Sequence, residues 1–356
     1  MEMEDRYGHR LSYLRVSVTD RCNERCRYCM PDEEQVWFPR AEVLTYEELE
    51  RVVRVAVGLG MRKLRVTGGE PLVRRGVVGF IERLARIEGL SDLGLSTNGT
   101  LLARPCVADG DGGRDEAPAA PASAPASARA PTTARRLVAA GVRSVNISID
   151  TLDRAGYRAM TGRDYLPRVL EGIDAAIDAG FPSIKLNAVL LRGQSEAQLL
   201  PLIRFAGQRG LLLRFIELMP VSTREVLDDD VFLSAGRARR LVEQELGPLT
   251  PRTDFRTNGP ASYHQLPDSE QLVGFIGAMT DHHFCDRCNK LRLTCDGKLR
   301  PCLGSWLEFD LRERLRAGAD DEEIAAFFRM VVDRKPEQHD FRDAYQPGRR
   351  MVAIGG

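Results

Sequence analysis

Short apolar and β-branched runs alternate with amphipathic stretches from Leu14 to Leu218. This alternation predicts repeated βα units and a parallel sheet. Helical periodicity is clearest over Tyr46 to Leu59 and Leu166 to Ala179. The six predicted strands are Leu14 to Thr19, Lys63 to Thr67, Leu93 to Thr97, Ser144 to Ile149, Ile184 to Leu190 and Leu211 to Glu217. Because the common closed barrel has eight such units, the pattern predicts an α/β fold with an incomplete (βα)6 TIM-type barrel.

Residues 104–131 interrupt this pattern with a mixture of Pro, Ala, Ser and Gly and almost no large apolar side chain. Such a segment cannot bury enough apolar surface to offset the entropy of ordering, so it predicts a disordered insertion. After Met219 the pattern changes to a helix over Ala235 to Glu245 and short strands, among them Leu272 to Ile276. The predicted domains are a partial barrel at 1–219, which carries the insertion, and a smaller C-terminal α+β domain at 220–356 that closes its open side.

The sequence LRLTCDGKLRPCL predicts a β-hairpin, because its Asp-Gly pair is a favoured two-residue turn. With that turn, Cys302 lies opposite Leu291 and therefore returns next to Cys288. Cys295 is about 13 Å from Leu291 at ~3.3 Å per residue, too far to share a site with Cys302.

The composition, 43% hydrophobic and 29% charged, is that of an ordinary soluble protein. No apolar run is long enough to span a membrane, and the N-terminus lacks the features of a secretory signal, so a cytoplasmic location is expected. Basic and acidic residues balance at 51 each, which argues against a nucleic-acid partner but is compatible with a discrete anionic ligand. Five of the basic residues are lysines, so a lysine in a chemically suggestive position is informative, although Lys63 and Lys335 are predicted to be solvated.

Six of the eight cysteines form two groups, and in a cytosolic chain they are expected to be reduced. The first group, CNERCRYC, comprises Cys22, Cys26 and Cys29 and follows the first predicted strand. Three thiolates on a four-iron cluster leave one iron open to the amino and carboxylate groups of a small molecule. A zinc site would need a fourth ligand, and His9 is the only histidine nearby.

The second group has the spacing C-x2-C-x13-C and comprises Cys285, Cys288 and Cys302. A second iron–sulfur cluster is one interpretation of this spacing. The alternative is a zinc site completed by His282 or His283.

The CxxxCxxC motif after the first strand resembles the signature of the radical S-adenosylmethionine superfamily. The resemblance implies that a [4Fe–4S] cluster passes an electron to bound S-adenosylmethionine, which gives a 5′-deoxyadenosyl radical that removes hydrogen from a substrate. The segment TGGEP, Thr67 to Pro71, resembles the glycine-rich segment that receives the methionine amino group. Taken alone, GGEP is equally consistent with an ordinary strand-to-helix turn.

Further segments resemble the GTP 3′,8-cyclase family, that of molybdenum cofactor biosynthesis protein A. They are LRVSVTDRCNERCRYC, LRVTGGEPLVRR, VNISIDTL, IKLNAVLLRG, LRFIELMP, FCDRCNKLRLTCDGKLRPCL and a chain end of Gly-Gly. The resemblance implies two [4Fe–4S] clusters and conversion of GTP to (8S)-3′,8-cyclo-7,8-dihydroguanosine 5′-triphosphate, the first step of molybdenum cofactor biosynthesis. It also implies a homodimer, an electron donor and a downstream cyclic pyranopterin monophosphate synthase.

A triphosphate requires several Arg or Lys side chains converging at the C-terminal mouth of the barrel. The resemblance assigns GTP binding to Arg15, Arg65, Ser96, Lys185, Lys290, Leu291 and Arg292. A charged residue within a strand could instead face solvent on an edge or form an ion pair.

The resemblance assigns cosubstrate binding to Tyr28, Gly69, Ser148 and Met219, and a catalytic role to the tail residues Gly355 and Gly356, with Arg349 and Arg350 as weaker neighbours. Met219 could otherwise be ordinary core, and a glycine tail could simply fray. Two other functions are considered: a radical enzyme acting on a peptide or tetrapyrrole, and a non-enzymatic zinc-stabilised binding protein.

Overall fold

A computed structural model of the chain describes residues 3–30, 35–105, 130–222, 230–341 and 348–355. Most of the predicted insertion and the terminal Gly356 lie outside the described residues. Within these ranges, no helix is both long and apolar enough to cross a membrane.

The described residues contain fourteen strands. They are β1 (Met3–Glu4), β2 (Arg10–Leu11), β3 (Tyr13–Ser17), β4 (Lys63–Thr67), β5 (Asp92–Thr97), β6 (Ser144–Ser148), β7 (Ser183–Leu190), β8 (Leu212–Glu217), β9 (Thr250–Pro251), β10 (Ser262–Gln265), β11 (Leu272–Ile276), β12 (Lys290–Leu293), β13 (Lys298–Arg300) and β14 (Phe309–Asp310). Strands β3 to β8 confirm the six strands predicted from the sequence, with ends that shift by at most two residues.

The same ranges contain ten α-helices. They are α1 (Tyr46–Gly58), α2 (Val77–Ala85), α3 (Thr133–Ala139), α4 (Arg154–Thr161), α5 (Leu166–Ala179), α6 (Leu199–Gln208), α7 (Ala235–Leu246), α8 (Leu311–Arg316), α9 (Asp321–Asp333) and α10 (Met351–Ile354). Helix α1 shows why they form: Thr45 and Glu48 make a reciprocal capping box at its start, and its buried residues recur at helical spacing.

Twelve of the strands form one sheet in the order β14-β13-β12-β3-β4-β5-β6-β7-β8-β11-β10-β9. The eight strands from β12 to β11 are parallel to their neighbours, which confirms an α/β fold with a mostly parallel sheet. The C-terminal strands β12 and β11 therefore extend the parallel sheet of β3 to β8 at its two opposite edges. Among the described residues, β12 and β11 do not pair with each other, because each is followed outward by an antiparallel strand.

The predicted register of the β12–β13 hairpin is wrong by one residue. Arg292 pairs with Arg300. The Thr294 amide donates to the Lys298 carbonyl, and the Lys298 amide donates to the Thr294 hydroxyl. The turn therefore contains three residues rather than two, with Gly297 at φ +83° in the left-handed region that closes such turns. Cys295 is fully buried at the start of this turn.

The two faces of the parallel strands differ in polarity. On β3 and β4, Leu14, Val16, Leu64 and Val66 pack into the main hydrophobic core, and the same alternation continues along the sheet to β8. The opposite, inner face carries polar or charged side chains on every strand from β3 to β8. Because parallel sheets are usually apolar on both faces, this polar inner face marks a functional site.

Candidate active site

A cavity of about 650 Å³ lies on the inner face of the parallel strands, and residues of the C-terminal part also line it. Eleven of the residues predicted to form the site line this cavity: Arg15, Arg65, Ser96, Ser148, Lys185, Met219, Cys285, Cys288, Lys290, Arg292 and Cys302. The cationic residues were predicted to converge at the C-terminal mouth of the barrel. The structure places several of them deeper, because Arg15 and Arg65 occupy the middle of their strands.

Three arginines stand side by side on the floor of this cavity. Arg292 of β12 is in register with Arg15 of β3, which is in register with Arg65 of β4. Strands lie about 4.8 Å apart, and like charges directly opposite each other destabilise a sheet. An anion bound across the three guanidinium groups would relieve this repulsion.

Arg65 is positioned by neutral groups on adjacent strands. It donates hydrogen bonds of 2.6–2.8 Å to the hydroxyl of Tyr13, the carbonyl of Leu95 and the hydroxyl of Ser144. Gly94 makes room for it, because a Cβ at that position would lie only 2.6 Å from the guanidinium. The local sequence thus fixes Arg65 without neutralising its charge.

Three further cations surround this row. Arg214 donates to the Asn187 side-chain oxygen at 2.7 and 3.0 Å, and Lys185 donates to Ser183 at 2.6 Å. Burial, followed by the charges of Arg214 and Arg65, lowers the pKa of Lys185 to about 8. Burial likewise lowers the pKa of Lys290 and lowers that of Arg292 to about 9. This concentration of desolvated positive charge is typical of a site for a polyanion.

The first cysteine group lies on the loop that follows β3. The pKa values of Cys22 and Cys26 are raised by burial and then by the carboxylates of Glu70 and Glu24, respectively. Burial also raises the pKa of Cys29 to about 12. Each of these thiols is close enough to others of the group to influence their ionisation. Three thiols among buried carboxylates form an electronegative donor set, which fits a positively charged iron core.

Buried carboxylates hold the strand ends around this loop. Glu70 accepts hydrogen bonds from Thr97, from the Asn98 amide and from the Leu72 amide at 2.7–3.0 Å. Burial nevertheless raises the pKa of Glu70 to about 7. Asn98 in turn lies 3.9 Å from the Cys22 sulfur, so the end of β5 is connected to the cysteine loop.

Two of the four residues predicted to bind the cosubstrate, Tyr28 and Gly69, lie in or against the same loop. Tyr28 donates a 2.8 Å hydrogen bond to Asp150, so its hydroxyl anchors the loop to the end of β6. Gly69 packs against loop backbone, because a Cβ there would lie 2.4 Å from the Arg21 carbonyl. Ser148 and Met219 line the cavity instead. The predicted role of these residues in cosubstrate binding stays a prediction.

The second cysteine group lines the other side of the cavity. Cys285, Cys288 and Cys302 are within electrostatic range of one another. Burial opposes ionisation of Cys288, but the charges of Lys335 and Lys290 outweigh it and lower the pKa of this thiol. A thiol that ionises readily fits metal ligation, because the thiolate is the ligand.

Neither group resembles a site for a single metal ion. Within the described ranges, no three His, Cys, Asp or Glu side chains are arranged to hold one ion. His283 hydrogen-bonds to Asp286 at 2.8 Å. Three thiols in each group match the three protein ligands of a four-iron cluster that has one open iron.

The C-terminal tail enters the space between the two cysteine groups. Gly355 is buried at φ +84°, and a Cβ at this position would lie 2.9 Å from both Ser17 and Thr67. Arg292 donates a 2.9 Å hydrogen bond to the Gly355 carbonyl. The amide of Val352 donates to the sulfur of Cys29. Only glycine fits here without strain, and the described part of the tail is docked rather than frayed.

Several residues in or near the cavity could not be assigned correctly from the sequence. Arg214 was missed, although it lies in a predicted strand. A charged residue at an inward-facing strand position was the signal that could have identified it as a site residue. Lys63 was predicted to be solvated but lines the cavity and hydrogen-bonds to Asn258. Lys335 was also predicted to be solvated and is 3% exposed. The side chain of Leu291 is fully buried in the core, which leaves only its backbone to meet the predicted GTP contact.

Comparison with known families now defines the class of protein. Residues 16–206 match the radical SAM superfamily, and residues 211–341 match the family described as Molybdenum Cofactor Synthesis C. Since the first match covers more than half of the chain, this is a radical SAM superfamily protein. Solved structures agree at the level of the fold: Streptococcus suis SuiB bound to S-adenosylmethionine superposes with a TM-score of 0.56 at 16% identity, over 89% of this chain and 67% of that one.

Full-length relatives identify the family. The chain is 40% identical to GTP 3′,8-cyclase of Pelotomaculum thermopropionicum, over 99% of this chain and 100% of the relative. It is 42% identical to GTP 3′,8-cyclase of Rhodopirellula baltica (99% and 91%) and 42% identical to that of Paracoccus denitrificans (99% and 95%). The chain belongs to the GTP 3′,8-cyclase family.

Proposed function

We propose that this chain converts GTP to (8S)-3′,8-cyclo-7,8-dihydroguanosine 5′-triphosphate, the first step of molybdenum cofactor biosynthesis. The observation that carries the proposal is the row formed by Arg292, Arg15 and Arg65, in register on the floor of a cavity that also receives the second cysteine group. This arrangement matches a substrate with a triphosphate at one end and a base at the other.

Two [4Fe–4S] clusters and S-adenosylmethionine are the cofactors. Cys22, Cys26 and Cys29 would hold the first cluster, and Cys285, Cys288 and Cys302 the second. When bound, the first cluster and S-adenosylmethionine would supply the adenosyl radical that takes hydrogen from ribose C3′. Bonding of C3′ to guanine C8 then leaves a guanine-centred radical, and one electron, from the electron donor expected from the family, and one proton complete the 7,8-dihydro product. Tyr28, Gly69, Ser148 and Met219 are proposed to receive the cosubstrate.

The chain itself binds and orients the nucleotide. The three arginines of the row and Lys185 neutralise the triphosphate, and Ser96, Lys290 and the backbone of Leu291 contact the rest of GTP. The docked tail, with Gly355 between Ser17 and Thr67, narrows the route from the cavity to the first cysteine group. Excluding water there protects a radical from side reactions. Gly356 is proposed to continue this tail.

The finer architecture and the partners are also proposals. We propose that the C-terminal part, 220–356, closes the open side of the barrel formed by 1–219. A homodimer, an electron donor and a downstream cyclic pyranopterin monophosphate synthase are expected from the family, as is a cytoplasmic location.

The test is an anaerobic assay of the reconstituted and reduced protein. We expect about eight irons per chain, as two four-iron clusters require. With S-adenosylmethionine, 5′-deoxyadenosine should form in a GTP-dependent manner, with the cyclised nucleotide identified by mass spectrometry. Formation unaffected by GTP would retain the radical chemistry and reject the substrate, whereas a chain with zinc and no iron would reject both.

Two variants test the residue roles. Cys22→Ser should abolish cleavage of S-adenosylmethionine. Arg15→Ala should weaken GTP binding by about tenfold or more, as expected for loss of a charged hydrogen-bonding partner worth roughly 1.5–3 kcal/mol. Arg154→Ala is the control, because Arg154 is exposed and bonded to Asp164 on the surface. Equal GTP affinity in Arg15→Ala and Arg154→Ala would exclude Arg15 from the substrate site.

A further inference from the structure

Lys335 is a buried lysine whose ammonium lies between two segments that carry cysteines. It follows helix α9, where its amide hydrogen-bonds to the Val332 carbonyl at 3.0 Å. Its Nζ donates to the Pro301 carbonyl at 2.7 Å and lies 3.4 Å from the Cys288 sulfur. Pro301 directly precedes Cys302, so one ammonium group connects the positions of two cysteines of the second group.

The burial of this charge requires an explanation. A buried ammonium is costly unless a counter-charge and hydrogen bonds compensate it. Within the described part of the chain, Lys335 forms no ion pair with a carboxylate, and its two polar contacts are a carbonyl and a cysteine sulfur. Negative charge on the Cys288 sulfur would provide the compensation. The lysine therefore fits a metal-bound thiolate better than a free thiol.

A purely structural role would not need this chemistry. If packing alone mattered, a methionine could fill a similar volume. If only a link between the helix end and the hairpin mattered, one hydrogen bond from any neutral donor to the Pro301 carbonyl would provide it. What a cation adds is an interaction with the charge of the ligand set. Reduction potentials of iron–sulfur clusters depend on net charge and on hydrogen bonds to the sulfurs.

We propose that Lys335 is a positioning residue for the second cluster, which holds Cys288 and the Pro301–Cys302 segment together and stabilises the reduced state of the cluster through its positive charge. The inference rests on the second cluster of the proposed function. Lys335 lies outside the cysteine motif, and the inference assigns it a role in setting the reduction potential of the second cluster.

Substitutions at residue 335 separate charge from packing. Lys335→Met removes the charge and the hydrogen bond but keeps an unbranched side chain, whereas Lys335→Arg keeps the charge. Arg334→Met is the matched control, since Arg334 is adjacent in sequence, also cationic and exposed, with its guanidinium over the Phe309 ring. All three are made in the full chain, reconstituted anaerobically and checked for iron content.

The readout is a redox titration of the holoenzyme followed by electron paramagnetic resonance. The second cluster is recognised as the signal that S-adenosylmethionine leaves unchanged. In Lys335→Met, we expect its reduced-to-oxidised ratio at a fixed potential to fall by about tenfold, equal to a shift of about −59 mV for one electron. The potential of the first cluster should not change, and Arg334→Met and Lys335→Arg should remain close to the unsubstituted protein.

Each outcome decides the proposal. A Lys335→Met protein with full iron and an unchanged potential overturns it. If Lys335→Met fails to assemble the second cluster, restoration of iron in Lys335→Arg supports positioning by charge, and failure of Lys335→Arg as well assigns Lys335 to packing alone. The proposed function is tested separately with the unsubstituted protein. Two clusters without cyclisation of GTP would refute the cyclase activity, and the redox titration would still decide the role of Lys335. A single cluster per chain would refute both the proposed function and the role of Lys335.

Discussion

The docked tail is held by an ion pair whose removal should release it. Both terminal nitrogens of the Arg349 guanidinium donate to Asp296 at 2.9 Å, and its Nε lies 2.8 Å from Glu308. The side chains of Arg349 and Asp296 are only 17% and 4% exposed. This bidentate pair joins the tail to the turn of the β12–β13 hairpin. We predict that Arg349→Ala undocks the tail while the rest of the fold persists.

The size of the effect follows from the geometry. Removing one partner of a buried pair costs about 3–5 kcal/mol. The lower end applies, because Thr294 still donates a 2.6 Å hydrogen bond to Asp296 and because the Asp296 carboxylate is rehydrated once the tail leaves. At about 1.4 kcal/mol per factor of ten, a loss of about 3 kcal/mol lowers the ratio of docked to undocked tail by roughly a hundredfold.

Amide hydrogen exchange measures this ratio directly. The amides of Met351, Ala353 and Gly355 are bonded to Ser222, Arg350 and Met351, respectively, and should exchange about a hundredfold faster in Arg349→Ala. Cyclisation should fall more than 5′-deoxyadenosine formation. Arg349→Lys should be intermediate, since it keeps the charge and loses the bidentate geometry. Unchanged exchange of residues 348–355 in Arg349→Ala would refute the reasoning.

Three other predictions concern the cavity. GTP affinity should fall as the pH rises through about 8, because Lys185 loses its positive charge there. The fall should be absent in Lys185→Met, and isothermal titration calorimetry of both proteins at several pH values checks this. Gly94→Ala should weaken GTP binding by roughly tenfold, because its Cβ would displace Arg65 and overpacking costs about 1–3 kcal/mol. Gly58→Ala, which has no atom within 4 Å of the added Cβ, should leave GTP binding unchanged. An unchanged GTP affinity in Gly94→Ala would contradict the assigned position of Arg65. Arg214→Met should weaken GTP binding and raise the pKa of Lys185 by removing a neighbouring positive charge, which a shift of the same pH profile to higher values would reveal.

The local elements of the barrel could be predicted because short-range signals determine them. Strands β3 to β8 are apolar on the face that meets the helices. Helices α1 and α5 have buried residues at helical spacing, with a capping box at the start of α1 and the left-handed Gly180 at the end of α5. The cysteine groups could likewise be found from their spacing. Their positions follow from loops that begin at strand ends, which the alternating pattern already marks.

Long-range features could not be predicted in the same way. Nothing local in the sequence of β11 or β12 shows that each joins an opposite edge of the barrel sheet, because that pairing depends on residues far away in the chain. The predicted length of the hairpin turn was wrong, because Asp-Gly also fits a three-residue turn with glycine in its last position. Lys335 was misjudged because its burial depends on Pro301 and Cys288, which are adjacent only after folding.

The order of strands in the sheet has a consequence for biogenesis. Strand β3 is synthesised well before its outer neighbour in the sheet, β12. The side chains of Ser12 and Asn289, which hydrogen-bond at 3.2 Å beside these two strands, are separated by 277 positions. Until β12 has been synthesised, the edge of β3 that β12 covers is unpaired and can pair with strands of other nascent chains. Chaperone protection of this edge before β12 is synthesised should therefore raise the yield of native protein.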